Sequence, residues 1–286
     1  MDRRSFLKKL AAVPLVGAAK EVAGAGTSAG SLRIAHFCDP QFGFSTRNPA
    51  MKWRAPEHSR KNYEEDLARC DRTIDKINAV KPDLVLFGGD MTQNAKDVVS
   101  EWPALLKRLV VPWMVAPGNH DMGNNVTRAN LDRFRNVFGR DREARDVKGW
   151  RIVAGNSQLW FKTEAEDEQA AYETWLQEEL EKAKSYRGRV VLASHIPPFA
   201  FAYDEKDSYD SCPRSTRMKR LESYVDAGAR FYLAGHMHRF VARGYKNLEI
   251  LNAEAGCDNF DLRPQGFRLF EVRDDFSYSY EFVEVR

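Results

Sequence analysis

The chain has 286 residues, of which 43% are hydrophobic and 30% charged, and a mean hydropathy of −0.55. That balance excludes wholesale disorder, and no apolar stretch approaches the roughly 20 residues that cross a bilayer as a helix. The net charge of +3 comes entirely from residues 1–30, with five basic and two acidic groups; the remainder carries 39 of each, so bulk charge gives no reason to expect a nucleic-acid partner.

The chain opens Asp2-Arg3-Arg4-Ser5-Phe6-Leu7-Lys8-Lys9 and continues in a mild apolar run from Leu10 to Ala19. This segment resembles a bacterial twin-arginine export signal. Pro14 and Gly17 dilute the run, which is about half a membrane span, so no stable membrane anchor is expected. Small residues allow cleavage after Ala25 or Ala29. Residues 1–30 therefore read as a signal peptide with a small-residue tail, and residues 31–286 as a single domain. The expected export partner is the twin-arginine translocase, and the expected location is periplasmic or extracellular.

From Ser31 onward, strand-like and helix-like segments alternate. Leu32–Cys38, Leu84–Phe87, Pro112–Ala116, Val190–Ala193 and Arg230–Ala234 are short apolar runs that predict buried strands. Tyr63–Val80 and Gln169–Ala183 place apolar residues at three- and four-residue steps and predict helices. After His238 only strands are expected, with alternation clearest in Phe267–Val272 and Tyr278–Val283. A βαβ series ending in antiparallel strands predicts an α/β domain with helices covering a sheet. The long irregular stretches 40–60 and 197–215 are candidate active-site loops. Cys38, Cys70, Cys212 and Cys257 are too scattered for a disulfide scaffold and read as buried or idle thiols.

Several of these strands run into polar groups suited to metals. The first leads to Asp39-Pro40-Gln41, the second to Gly88-Gly89-Asp90, and the third to Gly118-Asn119-His120-Asp121. The fourth leads to His195, and the fifth to Gly235-His236-Met237-His238. Carboxyl ends of strands are where open α/β sheets gather ligands, so groups far apart in sequence can converge. Asp39 and Gln41, like His236 and His238, would face one way if their backbone were extended. The set contains oxygen and nitrogen donors without thiolate. It fits a pair of divalent ions such as manganese, iron or zinc, able to bind phosphoryl oxygens and acidify water.

The ordered pattern D-x-Q, G-D, G-N-H-D, H, G-H-x-H resembles the calcineurin-like metallophosphoesterases, across nearly the whole chain after residue 31. Asp39-Pro40-Gln41-Phe42-Gly43 and the late Gly256-Cys257 are similar to the complete serine/threonine phosphatase subgroup. The resemblance implies a four-layer α-β-β-α sandwich with two metal ions at one edge. Asp39, Gln41, Asp90 and His238 would hold one ion; Asp90, Asn119, His195 and His236 would hold the other, with Asp90 bridging. It further implies in-line attack by metal-bound hydroxide on a phosphate monoester, with His120, steadied by Asp121, as general acid. Gln41 stands where most members have histidine. Gln93 stands where purple acid phosphatases carry tyrosine, so a tyrosinate–iron site is not expected.

Arg54 and Arg60, in a basic and aromatic stretch, and Arg217, near the 197–215 loop, are candidate substrate contacts. His36 reads as a strand residue near the site and His58 as a loop residue. Cys257 and Arg263 have thiol-phosphatase spacing, but Asp258 and Asp261 between them would repel phosphate. Two other functions share the same residues: a phosphodiesterase acting on cyclic-nucleotide or phospholipid-type diesters, and a non-catalytic binding protein on this fold.

Overall fold

The computed structural model describes residues 30–44, 60–93, 101–161 and 163–286. The export-signal reading of residues 1–29, His58 and Arg54 lie outside them. The elements run β1 (Leu32–Phe37), α1 (Arg60–Val80), β2 (Leu84–Phe87), α2 (Trp102–Lys107), β3 (Trp113–Val115), α3 (Asn119–Met122), α4 (Arg128–Phe138), β4 (Glu143–Val147), β5 (Trp150–Ala154), α5 (Glu166–Ala183), β6 (Val190–Ala193), α6 (Arg214–Asp226), β7 (Phe231–Ala234), β8 (Val241–Tyr245), β9 (Leu248–Asn252), β10 (Gly266–Val272) and β11 (Tyr278–Glu284). No helix among the described residues is long and apolar enough to cross a membrane.

The strands form two sheets, ordered β11-β10-β1-β2-β3 and β4-β5-β6-β7-β9-β8. Parallel pairing joins β1, β2 and β3 in the first and β5, β6, β7 and β9 in the second. Antiparallel strands extend one side of the first sheet, with β10 against β1 in the register Leu32↔Val272 and β11 beyond it, and both edges of the second. The continuous apolar runs of the parallel strands are explained by burial on both faces. Leu32, Ile34, Leu84 and Leu86 point between the sheets, where they meet Trp150, Ile152, Val191, Phe231 and Leu233. Their alternate neighbours Ala35, Phe37, Val85 and Phe87 belong instead to the core that includes Ile74 and Ile77 of α1 and Trp102 of α2. On the second sheet Tyr232 turns outward to Tyr224 of α6, with ring centroids 5.7 Å apart. The period of two along each strand thus builds four layers, helix, sheet, sheet, helix.

Several elements went beyond the sequence reading. Thr127 caps α4 by accepting from the Asn130 N–H at 3.2 Å, and Gly139 ends it in the left-handed region. The hairpin β4–β5 turns on Lys148 and Gly149, both at positive φ, as a two-residue mirror-image turn requires. Its first strand, Glu-Ala-Arg-Asp-Val, lies at the sheet edge and carries no apolar alternation, which hid it from periodicity. α6 begins at Arg214, inside the stretch expected to be irregular.

Trp102 shows how the helical layer supports the strand ends. Its ring stacks on Phe42 at 5.1 Å and meets Phe87 edge-on at 5.6 Å, and its Nε1 donates to the Met91 carbonyl at 3.1 Å. It therefore braces the residues beside Gln41 and Asp90. Trp102→Ala, which opens a cavity at a fully buried site, is expected to cost about 3–5 kcal/mol in urea unfolding. A loss below 1 kcal/mol, on that same scale, would show that Trp102 does not brace this layer.

Candidate metal centre

The seven candidate ligands lie just beyond the carboxyl ends of β1, β2, β3, β6 and β7, so the centre spans one edge of both sheets. Asp39 and Gln41 follow β1, Asp90 follows β2, Asn119 begins α3 after β3, His195 follows β6, and His236 and His238 follow β7. Five of them, Asp39, Gln41, Asp90, His236 and His238, hold φ between 38° and 72°. The expected extended backbone at the two D-x-Q and H-x-H pairs is therefore corrected. Each side chain is aimed by a left-handed turn, which costs a non-glycine residue roughly 1–2 kcal/mol. Hydrogen bonds between loops hold these turns: the Asp39 N–H donates to the Gly89 carbonyl and the Gln41 N–H to the Asp90 carbonyl, both at 3.0 Å. Gly118 must be glycine for a different reason, because a Cβ there would lie 2.0 Å from Asp90 Oδ1.

His195 Nε2 is the focus of the cluster. It lies 3.2 Å from Asp90 Oδ2, from Asn119 Oδ1 and from His236 Nδ1, and 3.9 Å from Asp39 Oδ1. His238 Nε2 lies 3.4 Å from Asp39 Oδ1. Asp90, His195 and His236 present ligand atoms all within 4.8 Å of one another. Each imidazole has its other nitrogen against a backbone carbonyl: His195 Nδ1 on Gly88 at 2.7 Å, His236 Nε2 on Tyr209 at 3.0 Å, and His238 Nδ1 on Asp258 at 2.8 Å. A carbonyl only accepts, so those nitrogens carry the protons. The opposite nitrogens of His195 and His238 then turn their lone pairs toward carboxylate oxygens, and that of His236 faces His195 Nε2. Lone pairs facing carboxylate oxygens repel one another unless a cation lies between them.

The carboxylates point to the same need. Asp39 Oδ2 accepts the His236 N–H at 3.1 Å, but Oδ1 is buried with no hydrogen-bond partner among the described residues. Burial opposes a charge on His195, but Asp90 and Asp39 more than offset it and carry its pKa up to about 9. Burial likewise opposes the charge on Asp90, and His195 and His120 hold that carboxyl below the usual range. Burial and the neighbouring His195 push His236 down to about 4, while Asp39 raises His238 against the cost of burial. A proton on His195 and a divalent cation thus compete for one set of donors, and metal binding releases a proton. Oxygen and imidazole donors, an orphaned carboxylate oxygen and tautomers set by backbone carbonyls together fit a borderline divalent ion.

His120 and Asp121 are both in place, but their relationship differs from expectation. The His120 N–H donates to Asp90 Oδ1 at 2.8 Å, and its Nδ1 faces the Gln93 carbonyl at 2.7 Å. Asp121 does not steady that ring. Its carboxylate accepts from the N–H groups of Gly118 at 2.8 Å and Thr92 at 3.1 Å, which would otherwise be buried donors without partners. It braces the loops that carry Asp90 and Asn119, and burial together with Asp90 lifts its pKa to about 7.

Arg217 requires a second correction. It is fully buried, with its guanidinium donating to the carbonyls of Tyr203, Glu205 and Cys212 and to Ser211 Oγ, so it stiffens the 203–212 loop and does not meet substrate. Arg60 is the first residue of α1. His36 sits in β1 as expected, with Nδ1 on the Tyr280 hydroxyl at 2.7 Å, and burial drives its pKa down to about 3. All four cysteines are free and buried. Cys257 is not idle: its Sγ lies 3.5 Å from Gln41 Oε1 and 3.6 Å from His238 Nδ1. The sequence reading missed this contact and that of Tyr209, whose carbonyl meets His236. The sole sequence signals were the Gly256-Cys257 pair and an aromatic-rich loop.

Residues 32–240 match the calcineurin-like phosphoesterase family profile. Among known proteins, the chain is similar to the serine/threonine-protein phosphatase CPPED1 of Pongo abelii. The two are 28% identical over 248 residues, 82% of this chain and 78% of that one. It is also similar to the probable glycerophosphodiester phosphodiesterase GpdQ of Arcobacter nitrofigilis, 28% identical over 200 residues, 68% of this chain and 71% of that one. A solved dimetal phosphatase from Danio rerio has the same fold, with a TM-score of 0.59 at 13% identity over 90% of this chain and 98% of that one.

The donor geometry sets an expectation independent of catalysis. Manganese(II) at about 100 times its dissociation constant should stabilise the protein by about 2.7 kcal/mol in urea unfolding, and a chelator should reverse it. Asp90→Asn, which removes the carboxylate charge at the centre, should abolish most of that gain. An equal gain in the variant would place the metal elsewhere.

Proposed function

The chain belongs to the calcineurin-like phosphoesterases, and from that premise we propose an exported phosphatase that hydrolyses phosphate monoesters at a two-metal centre. That it is a metal-dependent phosphoester hydrolase follows from the family and its phosphatase relatives. The observation that carries the finer reading is the convergence of donors on His195 Nε2, with His120 joined to Asp90 through its own backbone. Asp39, Gln41, Asp90 and His238 would hold one ion, and Asp90, Asn119, His195 and His236 the other. When bound, two such ions polarise phosphoryl oxygens and make water acidic near neutral pH.

The chain's own residues then supply orientation and a proton. His120 keeps Nδ1 on the Gln93 carbonyl, which leaves Nε2 as the nitrogen that exchanges a proton. Because its N–H also grips Asp90 Oδ1, the acid and the shared carboxylate keep one fixed relation. His120 is half-buried, within reach of an ester, and protonates the departing oxygen. With 39 basic and 39 acidic groups after residue 30, the protein offers no diffuse attraction for phosphate, so recognition is local to this centre. A second reading, a phosphodiesterase, is favoured by the similarity to GpdQ, a probable glycerophosphodiester phosphodiesterase.

The protein loaded with manganese(II) should hydrolyse p-nitrophenyl phosphate faster than its bis ester; the reverse order would favour the diesterase. His120→Ala should lower turnover by about 10²–10⁴-fold, as loss of a general acid does. Unchanged turnover would remove His120 from the mechanism. Export is supported by Arg3-Arg4 and the residues after them. In a bacterium with the twin-arginine route, replacing both arginines by lysine should retain the protein in the cytoplasm on fractionation. Continued export of that variant would overturn the proposed location.

A further inference from the structure

We infer that Tyr209 is a positioning residue that orients two ligands, Asn119 and His236, from outside the metal centre; this rests on the two-metal reading above. Tyr209 lies in the segment between β6 and α6 and is 59% exposed, beside the metal centre. An exposed tyrosine commonly turns its hydroxyl to solvent, but this one turns its polar atoms inward. Asn119 Nδ2 donates to the Tyr209 hydroxyl oxygen at 2.5 Å. The Tyr209 carbonyl lies 3.0 Å from His236 Nε2, and its ring covers the His236 ring at 4.7 Å.

Each contact has a consequence for the donor set. The carboxamide of Asn119 has one end that can serve a cation and one that cannot: the oxygen carries lone pairs, whereas the nitrogen presents only hydrogens. Anchoring Nδ2 on the phenol turns Oδ1 inward, where it lies 3.2 Å from His195 Nε2. The carbonyl of the same residue keeps the proton of His236 on Nε2 and leaves Nδ1 for the centre.

The segment is stiff enough to act this way. Arg217 pins the carbonyls of Tyr203, Glu205 and Cys212, and the Glu205 carboxylate accepts from the N–H groups of Ala200, Phe201 and Ala202. The Cys212 N–H closes the loop on the Pro197 carbonyl at 3.1 Å. The buried arginine thus holds the loop, and the loop holds Tyr209 against two ligands of one ion. The other ion's ligands, Gln41 and His238, have different supports: Cys257 Sγ at 3.5 Å and the Asp258 carbonyl at 2.8 Å.

The test is Tyr209→Phe, which deletes the hydroxyl and keeps the ring and the carbonyl. Titrating metal-free full-length protein with manganese(II) alone in a calorimeter, the variant should bind one of two ions about tenfold more weakly, as loss of an orienting partner does, and the other unchanged. At limiting manganese(II) its kcat on p-nitrophenyl phosphate should fall, excess manganese(II) should restore it, and KM should stay constant. Two ions bound with wild-type affinities would overturn the inference, and a raised KM that metal does not restore would make Tyr209 a substrate contact instead. Wild-type protein that fails to bind two ions would overturn the two-metal reading itself, whereas one of two ions weakened in this manner without ester hydrolysis would leave Tyr209 in place and overturn the phosphatase.

Discussion

Two carboxylates, Asp39 and Asp90, are buried side by side at the ends of neighbouring strands, and the architecture around them manages that concentrated negative charge. Burying an ionised carboxylate is costly unless donors or cations surround it. The protein provides part of the compensation from its backbone: the His236 N–H serves Asp39 and the His120 N–H serves Asp90. Among the described residues Asp39 Oδ1 has no hydrogen-bond partner, and it faces two imidazole nitrogens. A divalent cation meets all of these demands at once, which is why the donor geometry and the family membership lead to the same conclusion.

The same constraint explains the backbone. Ligands that must converge from five strand ends cannot all lie in relaxed extended conformations, and five of the seven sit in left-handed turns. Such strain persists only where the surroundings over-determine it. Here the bracing comes from bonds between loops: Asp39 to Gly89, Gln41 to Asp90, and Asp121 to Gly118 and Thr92. His195 joins the two sheets directly, since its ring extends from β6 to the Gly88 carbonyl beyond β2. The centre therefore closes one end of the sandwich as well as carrying the chemistry.

Around this inner ring lies an outer one in which no residue is an expected ligand. Asp121, Tyr209, Cys257 and Arg217 act on ligands or on the loops that bear them. Their roles were invisible in sequence for a common reason. A residue that supports a ligand is defined by a contact that only the folded backbone makes, and for Tyr209 and Cys257 the partners are also far apart in sequence: 90 residues from Asn119 to Tyr209 and 216 from Gln41 to Cys257. Arg217 shows the opposite error. A cation near a loop of aromatic residues reads as a phosphate contact until its burial among carbonyls is seen.

The sequence by itself determined the buried strands and the chemistry at their ends, and its resemblance to a known family supplied the second sheet. Leu84–Phe87 must be buried on both faces, and Asp90 or His195 immediately after such a run can only emerge at a strand's carboxyl end. Periodicity also located α1 and α5, and the ordered pattern D-x-Q, G-D, G-N-H-D, H and G-H-x-H nominated the seven candidate ligands. Tertiary structure decided what local pattern does not encode. It replaced extended pairs by left-handed turns, moved Asp121 from the imidazole to the backbone, and paired the edge strand β4 with β5. It also set which nitrogen of each histidine faces inward. The physical reason is one of range: hydrophobic alternation is a property of neighbours along the chain, whereas the orientation of a ligand is fixed by carbonyls and hydroxyls that only folding brings beside it.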